Sequence, residues 1–100
     1  MRDLRQLNRL EKYLQEHGYY YRRIDKEPSD PRLVGYDETH QIRVYEDETY
    51  NHELWDVICH KGSYGYTQGL LETMGMPEDG SDVTGYLTAD EIIKRLEGVL

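Results

Sequence analysis

Two short runs in the middle of the chain constrain its fold more than any other feature. Gln41–Glu46 (QIRVYE) and Leu54–His60 (LWDVICH) both alternate in polarity, and Asp47 to Glu53 between them is acidic and turn-prone. Alternation of period two marks a strand with one buried face. It puts Ile42 and Val44 on one face of the first run, and Trp55, Val57 and Cys59 on one face of the second. An antiparallel register that merges those faces also sets Arg43 against Asp56 on the reverse side. The same register brings His40 beside Cys59. A hairpin with one defined core face is therefore predicted.

Helical signals flank it. Leu4, Leu7, Leu10 and Leu14 share one arc of a helix from Leu4 to His17, and Arg2, Arg5, Arg9 and Lys12 share the roughly opposite arc. Asp3 is the expected N-cap, with Gln6 completing a capping box, and Gly18 is the left-handed stop. Tyr19 to Asp25 (YYYRRID) follows as an aromatic strand, and Pro28 and Pro31 mark the next stretch as a loop. A second helix is expected from Tyr64 to Met74, with Tyr66, Leu70, Leu71 and Met74 as its apolar side and Gly75 as its stop. Gly65 and Gly69 count against it, at about 1 kcal/mol each relative to Ala. Glu78 to Asp82 reads as a polar loop. The sharpest local signal is Thr88-Ala89-Asp90-Glu91, a capping box with Leu87 and Ile92 placed as a hydrophobic staple. Ile92, Ile93, Leu96 and Val99 form the buried stripe of that last helix, with Leu96 deepest. These elements predict a single domain over residues 1–100, of α+β class. Its expected core is a three-stranded antiparallel sheet with helices packed on one face, in the order α-β-β-β-α-α.

Composition bounds what such a domain does. Leu, Ile, Val and Phe together number 21, and no Phe is among them, so ten Tyr and one Trp must complete the core and its rim. Each of those aromatics carries a polar handle suited to a core edge or a contact surface. The net charge is −8. Residues 1–26 hold seven Lys/Arg against four Asp/Glu, and residues 27–100 hold five against sixteen, so an acidic body carries a mildly basic amino end. A surface of that sign disfavours non-specific binding to nucleic acid or anionic membrane. One cysteine excludes a disulfide framework and a Cys-rich zinc module. No apolar run reaches 18 residues and no secretory signal pattern is present, so a cytoplasmic location without membrane partners is expected.

Two blocks carry a resemblance. His60-Lys61-Gly62-Ser63-Tyr64-Gly65-Tyr66 with Gly69-Leu70-Leu71-Glu72, and Gly85-Tyr86-Leu87-Thr88-Ala89-Asp90-Glu91-Ile92-Ile93, resemble a group of small uncharacterised proteins of gut Firmicutes and their phages and mobile elements. The similarity runs from Leu54 onward. It implies a phage or mobile-element accessory protein working inside a bacterium, and it transfers no catalytic residue.

The chemistry-bearing residues sort as follows. Cys59 beside His40 is a possible thiolate–base pair, but a cysteine packed against Trp55 and Val57 is ordinarily a buried, inert thiol. His40, His52, His60 and Cys59 lack the spacings of a local metal site, so no metal and no cofactor is expected. Lys61-Gly62-Ser63 reads as a tight connection, without the spacing of a phosphate-binding loop. Arg2, Arg5, Arg9 and Lys12, with Arg22 and Arg23 among the tyrosines, form a candidate nucleic-acid surface. Glu46, Asp47, Glu48 and Glu53 cluster at the hairpin turn, with Tyr45 and Tyr50 as aromatic anchors. A rigid array of carboxylates imitates a phosphate backbone and fits the basic cleft of another protein. The leading expectation is a non-enzymatic acidic accessory that binds a basic host protein, in its sharpest form an inhibitor of a nucleic-acid-handling host factor. The alternative is a nucleic-acid-binding module built on the basic helix and the Tyr/Arg strand.

Overall fold

The computed structural model describes residues 4–26, 39–60, 69–80 and 82–98. Helix α1 (Arg5–Glu16) leads into a five-stranded antiparallel meander: β1 (Tyr20–Lys26), β2 (Thr39–Tyr45), β3 (Glu53–His60), β4 (Leu71–Met74) and β5 (Val83–Leu87). Helix α2 (Ala89–Leu96) closes the order. The class is α+β, as expected, but the sheet has five strands and not three.

The central hairpin forms in the expected register. Ile42 faces Val57, Val44 faces Trp55, Arg43 faces Asp56 and His40 faces Cys59. Leu7, Leu10 and Leu14 of α1 and Ile92 of α2 join Ile42, Val44, Val57, Cys59 and Leu71 in one buried cluster. Burial of each such side chain is worth roughly 1.5–3 kcal/mol, which is what holds the helices on the sheet.

The main correction concerns the expected helix from Tyr64 to Met74. Residues 64–68 of it lie outside the described residues, and 71–74 form β4. Leu71 and Thr73 are buried while Met74 is exposed, a period-two pattern that four residues of sequence cannot separate from a helical one. Pairing with Asp56–Ile58 satisfies the backbone groups along the outer side of β3, and that gain overrides local preference. Strand β5 then pairs with β4, Leu71 opposite Leu87. Where β4 ends, Gly75 has a φ of 96°, and a Cβ there would come within 2.9 Å of the Leu54 carbonyl oxygen and 3.1 Å of Trp55 Cα. Only glycine permits that approach.

The capping of the helices is partly redistributed. Thr88 and Glu91 form the reciprocal box at the start of α2, and Leu87 and Ile92 are both buried as staple partners. The fully buried residues of α2 are Ala89 and Ile92, and Leu96, expected deepest, is only partly buried. Asp3 and Val99 lie outside the described residues. Gln6 does not close a box on its own helix: its Oε1 accepts from the Ala89 backbone N–H at 2.7 Å, so a residue of α1 caps α2. Arg9 on the next turn pairs with Asp90, which ties the same two helices together.

The expected polar loop Glu78 to Asp82 overlaps a 3-10 turn, Pro77–Asp79, whose aspartate is buried. Asp79 accepts from the hydroxyls of Thr73 and Thr84, and from the Met76 backbone N–H at 3.0 Å. Arg95 Nη1 lies 3.8 Å from the same carboxylate, with no hydrogen-bond partner among the described residues. One buried carboxylate thus locks β4, β5 and α2 together.

Candidate functional site

The β2–β3 connection is built the opposite way. Asp47 Oδ1 accepts from the backbone N–H of Thr49 at 2.9 Å and from its hydroxyl at 2.6 Å, a side-chain-closed turn. Those hydrogen bonds stabilise the ionised form and hold the Asp47 carboxyl below its ordinary range. Glu46, Asp47 and Glu48 are exposed. Glu53 reaches Arg43 at 3.5 Å, and Glu46 lies 4.0 Å from His52, both across solvent-exposed surface.

Tyr50 stands in the left-handed region, with φ of 55°, which is rare for a bulky residue. Its ring meets Tyr45 edge-on at 5.2 Å and Tyr20 edge-on at 6.4 Å. Tyr20 arrives because β1 pairs it with Tyr45. The Arg22 guanidinium lies 4.8 Å from the Tyr50 ring centre and 5.9 Å from that of Tyr45. In β1 and β2 Arg22 sits directly opposite Arg43, a like-charge pair. Each arginine turns to its own partner, Arg22 to the rings and Arg43 to Glu53. The result is an aromatic cluster with one cation on it, next to the acidic turn. Sequence reading named Tyr45 and Tyr50 for this place and missed Tyr20. The signal was available only through the β1–β2 register, since YYYRRID does not alternate in polarity.

The basic residues are not brought together in the same way. Strand alternation sends Arg22 to the reverse face and Arg23 toward the core, where its side chain is 14% exposed. Arg23 bonds Asn8, Glu11 and Asp25 at 3.0–3.1 Å. Arg9 is paired with Asp90, and Lys12 lies 4.0 Å from Glu16 on the same helix. Arg5 is exposed, and Arg2 lies outside the described residues.

His40 and Cys59 do face each other, and Asp25 stands opposite His40 on its other side. His40 Nδ1 and Asp25 Oδ1 are 2.6 Å apart. Burial raises the Asp25 carboxyl, but the His40 bond and the Arg23 charge outweigh it, so its net shift is downward. Cys59 and His40 are 0% and 1% exposed and lie within the core, whereas Asp25, at 42%, ends the row at the surface. Among the described residues no three His, Cys, Asp or Glu side chains converge as a metal-ligand set. Among them, too, no helix is long and apolar enough to cross a membrane. The stretch 61–63 lies outside the described residues.

Comparison with protein-family models, with curated proteins and with solved structures finds no match to this chain.

Proposed function

We propose that this chain is a small, non-enzymatic accessory protein that docks on a basic protein partner through the turn end of β2–β3. The observation that carries the reading is the pairing of two features on one rigid hairpin. Exposed carboxylates at Glu46, Asp47, Glu48 and Glu53 supply long-range attraction, and Tyr45 and Tyr50 beside them supply contact area at low entropic cost. Tyr50 holds its place there in a strained backbone conformation, which costs about 1–3 kcal/mol and favours a role beyond packing. With the phage-like resemblance of the second half of the chain, the partner is a bacterial cytoplasmic protein that handles nucleic acid, occupied in its basic cleft. The nucleic-acid-binding alternative draws less support, because Arg23 and Arg9 are already held by carboxylates of the chain itself.

The test compares partner retention by the protein and by its Glu46→Lys, Asp47→Lys, Glu48→Lys triple variant on the same bacterial lysate. Retained proteins should drop sharply with the triple variant, and retention by the original chain should weaken steeply with salt. Equal retention by both chains contradicts the reading.

A further inference from the structure

A cavity of about 280 Å³ opens beside the acidic turn, where the α1–β1 connection passes the end of β2–β3. Tyr19, Tyr20, Tyr45 and Trp55 line it, together with Leu54 and the carboxylate-bearing Glu46. The local chain path explains its shape. Leu54 is the extra residue of a β-bulge, since Val44 pairs with Trp55 while Tyr45 pairs with Glu53. Gly75 packs its backbone against Leu54 and Trp55 and fixes them from the other side. His17 also borders the cavity, and its Nδ1 donates to the Tyr13 carbonyl at 2.9 Å.

Four aromatic residues and one carboxylate around a space the size of a single side chain are the composition of a cation cage. Ring faces attract a positive charge through their quadrupole, most strongly when water is partly excluded. Beside the cavity, Arg22 already lies over Tyr45, one of its lining residues, and over the adjacent Tyr50. We infer that the cavity binds the alkylammonium end of a lysine side chain presented by the basic partner. This deepens the docking reading and rests on it: the acidic turn attracts the partner, and the cavity takes one of its lysines. The charge of the rim selects that occupant over an apolar side chain, because Glu46 is left beside a neutral group if leucine or norleucine enters.

Trp55 is the chain's one tryptophan and lines the cavity, so its fluorescence responds when the cavity is filled. The probes are Nα-acetyl-lysine N-methylamide and its neutral analogue Nα-acetyl-norleucine N-methylamide, titrated at pH 8 and constant ionic strength. The lysine probe should give a saturable Trp55 response, with an affinity about five-fold or more above that of norleucine. Tyr20→Leu keeps apolar volume and removes a ring, and Glu46→Gln removes only the rim charge; each should erase most of that preference. Amide NMR spectra of both variants verify the fold. Equal binding of the two probes, no saturable response, or a preference that survives both variants overturns the inference. The two proposals fail separately. Loss of partner by the triple variant with no lysine binding leaves docking intact and removes the cage. Lysine binding with undiminished retention by the triple variant does the reverse.

Discussion

The β2–β3 and β4–β5 connections of this sheet each turn on an aspartate, and they use it in opposite directions. Asp47, between β2 and β3, is exposed and bonds only its near neighbour Thr49 among the contacts described above. Asp79, between β4 and β5, is buried and gathers Thr73, Thr84, Met76 and Arg95 from three elements. A carboxylate that closes its own turn leaves the surrounding acids free to face solvent. A carboxylate turned inward becomes a structural joint, and its charge is hidden from any partner. The acidity of this chain is therefore not one property: part of it is surface field and part is core.

The largest expected effect breaks or confirms that contrast. Asp79→Ala leaves two hydroxyls and a backbone N–H without their acceptor and Arg95 without its facing carboxylate, and should cost about 3–5 kcal/mol in chemical denaturation. Asp47→Ala should cost far less, because its carboxylate stays in solvent. Similar losses at the two sites would mean that burial does not separate them.

Next in size is the packing of α2 beside the Asp79 joint. Ile92→Ala should cost about 2–5 kcal/mol, because its side chain is fully enclosed. Leu96→Ala should cost less, since Leu96 is only partly buried. Thr88→Ala removes the capping hydroxyl at about 1 kcal/mol, a fall of roughly 4–8 °C in melting temperature. Thermal denaturation of the three variants gives the order, and a Leu96 loss above that of Ile92 would place the wrong side of α2 in the core.

How much of this was readable follows the same contrast. The β2–β3 register was legible because both strands are contiguous, alternate with one period and carry the matching pair Arg43 and Asp56. The acidic turn was legible because exposed charges beside a turn need no tertiary context. Strands β4 and β5 were not, since Leu71–Met74 is too short to show its period and Val83–Leu87 precedes a stronger helix signal. Asp79 among acidic and glycine neighbours gives no sign of burial; Thr73, Thr84 and Arg95 create it from a distance. Tyr20 likewise meets Tyr45 only once β1 has found its partner.

The smallest effect lies in the acid limb. Folded Asp47 and Asp25 both have lowered carboxyl values, so the folded state binds their protons less readily than the unfolded chain does. Their contribution is present above the unfolded value of about 3.9 and is lost as pH falls through the lower folded values. Asp25→Asn and Asp47→Asn should each flatten the fall of stability below about pH 4, followed by denaturant midpoint against pH. An unchanged acid limb would show that neither carboxylate is held as described.

The docking claim is tested most directly by hydrogen–deuterium exchange of the protein alone and with its captured partner. Exchange should slow along Tyr45–Glu53 and at the neighbouring start of β1, where the carboxylates, the aromatic cluster and the cavity meet. Protection confined to the outer arc of α1, around Arg5, Arg9 and Lys12, with the hairpin end unchanged, would contradict the account.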